Sequence, residues 1–548
     1  MKRLAPFLVP LVAALLCACG TKGNCNTTNC AGCCDDQSYC QLNYTASACG
    51  KGGSKCAACP TSNTCSDGVC TAFNGAGGGD GTGGGGGVAT GGGAGTGGGS
   101  GGGGMMAGDA GYSRFATMAM NWPVPASGLA DGFNFPKGLA SVRLWDTFDI
   151  DGDGKPDLIH TGNTTTGSVW SSPVNPMPFW KVYKNTGSGF STTATTWLVP
   201  PSGTAEGFNV TQSFAKGKQW ATFDIDGDGR PDLVQTANTN DAVFPGPAWR
   251  LFKNTGTGFA ATATNWPLPA TTMLDGYNAK ESNASPKVWS TFDLDGDKLP
   301  DLVITSVAGA VFDGGTSSEW HLHRNTGTGF SPLSVDWRVP GSGLADGFNQ
   351  PASAVSVRQW TTMDLDGDGL VDLVQTANPQ GGAVFLGATP FWRVYKNTGS
   401  AFAAAFTQWP VPVNGLADGF YASEVQTTSR RWTTRDLNGD GRPDLVHTGN
   451  VISGQVWGAD AGMPYWNVYG NTGAGFVQAP QAFTVPPTGL AEGFNSATSS
   501  LSLNRWQTFD LDGDGNDDLV HTGNVVGDAV WSDPQQPAAF WKVYAPRH

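Results

Sequence analysis

The stretch from Phe148 to Asn163, F-D-I-D-G-D-G-K-P-D-L-I-H-T-G-N, crowds four aspartates into nine positions. Counted from Asp149, carboxylates stand at positions 1, 3, 5 and 9 (Asp149, Asp151, Asp153, Asp157), and the carbonyl of Lys155 at position 7 falls among them. Hard oxygen donors in a glycine-bearing loop suit calcium, whereas magnesium is seldom caged by so many protein groups. The phrase returns five times. Its further oxygens come from Asp224, Asp226, Asp228, Asp232 and the Arg230 carbonyl; from Asp293, Asp295, Asp297, Asp301 and Leu299; and from Asp364, Asp366, Asp368, Asp372 and Leu370. The last two copies supply Asp436, Asn438, Asp440, Asp444 and Arg442, then Asp510, Asp512, Asp514, Asp518 and Asn516. Up to six Ca2+ ions, one per copy, are expected. An EF-hand needs a bidentate Glu at position 12, but that position holds His160, Gln235, Ile304, Gln375, His447 or His521. Copy three is the weakest candidate, because Lys298 replaces the position 6 glycine, and Asn438 brings a neutral oxygen to copy five.

The elements that must hold these loops repeat with them. The first aspartates are separated by 75, 69, 71, 72 and 74 residues, a period that marks one supersecondary unit used six times. A tryptophan precedes each loop, a segment like F-W-K-V-Y-K-N-T-G-S-G-F follows, and a W-x-V-P variant closes the unit. Each unit thus offers four short strands, rich in aromatic and β-branched residues and bounded by Gly, Pro, Asn and Asp. Four strands per unit around an axis describe an all-β, six-bladed β-propeller. The sixth unit stops before its last strand, and residues 113–123, S-R-F-A-T-M-A-M-N-W-P, match that missing piece. The N-terminal segment is therefore expected to close the ring, whereas an open solenoid would not need complementary ends.

The acidic loop, followed by D-L-V and then V-Y-K-N-T-G-S-G-F, resembles the FG-GAP or VCBS repeat of integrin-type β-propellers, over residues 113–548. The resemblance implies a loop joining the first two strands of each blade, calcium within it, and a binding surface on the opposite face.

Upstream of the repeats lie three other segments. Residues 1–18 read as a lipoprotein signal peptide: Lys2 and Arg3, an apolar run too short to span a bilayer, and L-C-A-C ending at Cys19, the expected lipidation site. Residues 19–73 form a Cys-rich module in which ten cysteines remain for a disulfide framework. Residues 74–112 are a Gly-rich flexible linker. The expected location is the outer membrane or cell surface of a Gram-negative bacterium, with the lipid as the membrane contact. The net charge of -14 is concentrated in the loops and reads as metal sites, with no nucleic-acid partner.

For function, the expectation is a monomeric, non-enzymatic binding or adhesion module for an extracellular glycan or protein. The alternative is a polysaccharide hydrolase or lyase built on the propeller; no catalytic motif is present. Candidate ligand-face residues are the pairs His160 with Asn163, Gln235 with Asn238, Gln375 with Asn378, His447 with Asn450 and His521 with Asn524, which are expected to rim the face opposite calcium. Two further loop features are expected toward that face: the aromatics Trp170, Phe244, Phe312, Phe385, Trp457 and Trp531, for which packing between blades is the favoured alternative, and the acids Asp131, Glu206, Asp275, Asp346, Asp418 and Glu492.

Overall fold

A computed structural model describes residues 114–126, 144–163, 166, 168–172, 177–201, 220–238, 242–270, 288–307, 310–313, 318–341, 360–377, 384–413, 432–449, 456–458, 464–487, 506–523, 530–533 and 536–547, and short N-terminal pieces. The chain divides into two compact units, Met1–Gly103 and Gly104–His548. In the first, Cys33–Cys34 pairs with Cys40–Gln41 and Ser54–Lys55, and Asn63–Ser66 with Val69–Ala72. The register sets Cys34 opposite Cys40 and Cys65 opposite Cys70. Cys19, the signal segment and the Gly-rich linker lie outside the described residues.

The second unit is a six-bladed β-propeller. Blade one is an antiparallel sheet of Trp145–Phe148, Asp157–His160, Phe179–Tyr183 and Thr195–Leu198, paired in chain order. The second strand of every blade is buried along its whole length, as in Asp157–His160 and Asp232–Gln235, because neighbouring blades cover both of its faces. The fourth strand alternates instead. In Thr195–Leu198 Trp197 is the buried side chain, the pattern of a strand with one wet face.

Adjacent blades share one core each. Six hydrophobic clusters join blades one and two, two and three, and so on round to six and one, where Trp145, Leu158 and Tyr183 meet Leu511, Val520 and Trp541. An aromatic wedge recurs at each seam. Phe259 sets its edge against Trp180 and Trp197 of the preceding blade, at 5.4 and 6.2 Å between centroids, and Phe330, Phe402 and Phe476 repeat the arrangement. Such T-shaped pairs add about 0.5–1.5 kcal/mol each beyond area burial.

The N-terminal segment closes the ring as its sequence implied. Met120–Pro123 becomes the fourth strand of blade six, with Trp122 opposite Trp541, as Trp197 is opposite Trp180 in blade one. Phe115 supplies the sixth wedge, 5.6 Å from Trp466 and 4.9 Å from Phe483.

Polar ties reinforce the seams. The amide Nδ2 of Asn185 donates to Leu511 O, Asn254 to Ile150 O, Asn325 to Ile225 O, Asn397 to Leu294 O and Asn471 to Leu365 O, each reaching the preceding blade's acidic loop. Blade six has Pro546 at this point in its repeat. There Arg435 Nη1 instead donates to Thr508 O and to Asp517, at 2.8 and 3.0 Å, joining blade five to blade six.

Candidate metal centre

Each acidic loop joins the first and second strands of its blade and is shaped by its own aspartates. The position 1 carboxylate accepts the position 4 and position 6 N–H groups, as Asp149 does from Gly152 and Gly154 at 2.7 and 2.8 Å, and all six copies repeat this. Position 5 accepts the position 7 N–H, for example Asp153 from Lys155 at 2.9 Å. The loops also follow one another round the ring. A Cβ on Gly152 would stand 2.8 Å from Arg230 Cγ of the next loop, and one on Gly513 would stand 2.7 Å from Lys155 Cγ, closing the circle.

Turn formation accounts for position 3 in copies two, five and six, where it accepts the position 5 N–H, but it leaves several oxygens at positions 3 and 9 unexplained. Asp157, Asp232, Asp372, Asp444 and Asp518 are at most 1% exposed. One oxygen of Asp157 takes the Asn185 N–H at 2.7 Å, with equivalents in blades two, four and five. The other oxygen in these blades is buried without a hydrogen-bond donor, as are Asp518 Oδ1 in blade six and the position 3 oxygens of Asp151, Asp295 and Asp366. In the first four blades three carboxylate oxygens per loop converge within 4.8 Å of one another. Burial, reinforced by the neighbouring carboxylates, pushes Asp157, Asp232, Asp301, Asp372 and Asp444 up to about 7 and Asp518 to about 8. A cation among those oxygens would supply the missing partner and hold the carboxyls ionised. The donor set is all oxygen, so it fits a hard divalent ion.

Sequence reasoning overlooked a second contributor. The residue before N-T-G sends a cation to position 3 in four blades: Lys184 to Asp151, Lys253 to Asp226 at 2.5 Å, Arg324 to Asp295 at 3.1 Å, and Lys396 to Asp366. Blades five and six have Gly470 and Ala545 there. Blade six alone combines four loop aspartates with no such arm. The signal was the basic residue recurring before N-T-G, but its distance from the loop in sequence hid the contact.

Residues 149–235 match the model of the FG-GAP-like repeat, and the six blades repeat that unit. The second unit is an FG-GAP β-propeller. No curated protein matches the chain significantly. Among solved structures, the Tc holotoxin pore of Photorhabdus luminescens is 16% identical with a TM-score of 0.40, matching 79% of this chain and 15% of its own. An Agrocybe aegerita lectin that recognises non-reducing terminal N-acetylglucosamine is 19% identical with a TM-score of 0.39, matching 69% of this chain and 74% of its own. The chain thus spans about 15% of the length of the toxin it matches.

The FG-GAP propeller carries one strained loop. Lys298 has a φ of 73°, whereas its counterparts Gly154 and Gly369 have 85° and 88°. A side chain in the left-handed region costs about 1 kcal/mol, and a Cβ at Gly154 or Gly369 would meet nothing within 4 Å. Lys298→Gly is therefore expected to stabilise the propeller by about 1 kcal/mol, as a higher thermal midpoint in excess calcium. An unchanged or lower midpoint would show that the lysine makes a compensating contact.

The expected ligand rim needs correction. His160, Gln235, Gln375, His447 and His521 are only 0–3% exposed. Each histidine stacks on its own blade's first-strand tryptophan, with centroids 3.7 Å apart for Trp145–His160, Trp432–His447 and Trp506–His521. The following loop then lays Trp170, Trp457 or Trp531 edge-on over the imidazole at 5.1–5.2 Å. Burial holds His160 neutral, lowered to about 3. Asn163 and Asn238 are half-buried and accept N–H groups of their own loops, from Thr166 at 3.3 Å and Ala242 at 3.2 Å. Asn378, Asn450, Asn524 and the acids from Asp131 to Glu492 lie outside the described residues. The loop aromatics pack on the third strand: Lys181 lies 3.4 Å over Trp170, and Arg393 lies 3.9 Å over Phe385. His447→Ala should therefore cost about 2–4 kcal/mol of stability, as core truncations do. A loss below about 1 kcal/mol in thermal or denaturant unfolding would return His447 to the surface.

Proposed function

We propose that the propeller is a calcium-stabilised, non-enzymatic binding module for an extracellular glycan or protein, exported and anchored through lipid on Cys19. The observation that carries the calcium reading is the set of buried position 3 and position 9 oxygens that lack hydrogen-bond donors. The position 1, 3, 5 and 9 side chains and the position 7 carbonyl would hold the ion, which supplies fixed positive charge and ties the two strands. Lys184, Lys253, Arg324 and Lys396 compete with calcium for position 3, so their blades bind it more weakly than blade six. Binding of a glycan or protein then falls to the G-L-A-D-G-F-N segments and their variants, whose sequence sets a carboxylate among small and aromatic residues.

Equilibrium dialysis of the full chain against Ca2+ tests the first part. The expected result is one site tighter than the rest, abolished by Asp518→Asn, with weaker sites from the other blades. Uptake of less than one equivalent would end the calcium reading. A glycan array run beside a polysaccharide turnover assay tests the second part: binding without turnover is expected, and turnover would make the protein an enzyme.

A further inference from the structure

Blade three departs from the other blades at three positions that face one another. Its third strand, Ser318–His323, carries Glu319 and His321 two residues apart, hence on one face of the sheet. Asp336, in Val335–Val339, pairs directly opposite His321. His321 Nε2 lies 3.7 Å from Glu319 Oε1 and 3.8 Å from Asp336 Oδ1, and the three ligand atoms lie within 4.8 Å of one another. Around a tetrahedral zinc ion with bonds of about 2.0–2.2 Å, ligand atoms are roughly 3.4 Å apart. Closing the triad on a metal therefore needs only small side-chain movements.

The other blades act as internal controls. At the His321 position they carry Lys181, Arg250, Arg393, Asn467 and Lys542, and none has a carboxylate at the positions of Glu319 or Asp336. Lys181, Arg250, Arg393 and Lys542 each lie over an aromatic ring of their own blade. In blade three the ring is kept but the cation is not: the His321 imidazole stacks on Phe312, 3.7 Å between centroids and 14° from parallel. That stacking orients the imidazole while its edge faces the two carboxylates. The side chains of His321 and Asp336 are 28% and 65% exposed, so solvent can complete a coordination shell. Arg338, opposite Glu319 in the register, is the competing partner.

We propose that Glu319, His321 and Asp336 form a site for a borderline divalent transition-metal cation, with Zn2+ as the type. One imidazole and two carboxylates suit such an ion, whereas the acidic loops offer oxygen alone. The site does not depend on the calcium reading. Its test is zinc titration of the full chain against a chromophoric chelator, in millimolar Ca2+ and with any free thiols alkylated. Wild-type protein is expected to hold one more zinc equivalent than His321→Ala. Glu319→Gln and Asp336→Asn should each weaken that equivalent at least tenfold, with an unchanged unfolding midpoint in calcium for Asp336→Asn. Equal zinc uptake by wild type and both the His321→Ala and Asp336→Asn proteins would overturn the proposal, as would displacement of that zinc by millimolar calcium.

Discussion

Removing calcium with a chelator at pH 7 is expected to lower the unfolding temperature of the propeller by more than about 10 °C, with recovery when calcium is restored in excess. An ion held only by the folded state at a hundred times its Kd contributes about 2.7 kcal/mol per site, and the ring has six loops. The pH dependence follows from the buried aspartates. Without metal, Asp157, Asp232, Asp301, Asp372 and Asp444 titrate near 7 and Asp518 near 8, against 3.8 for an ordinary aspartate. Between about pH 4 and pH 7 the metal-free folded state binds more protons than the unfolded state, so its stability must fall as pH rises through that window. Calcium needs those carboxyls ionised. Its stabilising increment should therefore be small near pH 4.5 and largest at pH 7 and above. Thermal scans with chelator and with calcium across pH 4.5–8 check this. Coincident midpoints at pH 7 would reduce the loops to turns.

Deleting residues 114–124 should be the most damaging change outside the loops. Trp122 is fully buried in the core shared by blades six and one, and Phe115 is fully buried between Trp466 and Phe483. Truncating one such aromatic costs about 3–5 kcal/mol, so Trp122→Ala alone should be clearly destabilising. The deletion removes both anchors and also bares the edge of Gln536–Tyr544, which Met120–Pro123 otherwise covers. An unpaired edge strand recruits other chains. The shortened protein is expected to melt well below the intact chain and to elute from a sizing column as dimers or larger species. A monodisperse product with the original midpoint would mean that the ring holds together without its donated strand.

The sequence by itself determined the repeat count, the four-strand unit, the recurring acidic loop and the pairing of the two chain ends. These are local or periodic properties. Turn chemistry at Asp149 and Gly154 acts within six residues, and the match of Phe115 and Trp122 to Phe190 and Trp197 is a spacing written in the chain. The anomaly at Lys298 was legible for the same reason, since one position in six breaks a glycine requirement. Only the tertiary structure decided what those elements touch. His160 reads as the polar end of a strand, yet Trp145 of the neighbouring strand and Trp170 of the following loop enclose it from two sides. Lys184 reaches Asp151 from 33 residues away, and Asn185 reaches Leu511 across 326. Glu319, His321 and Asp336 become a cluster only through the register of two strands. Periodicity specifies which residues share a strand face; the packing of one blade against the next decides which of those faces remain open to a ligand.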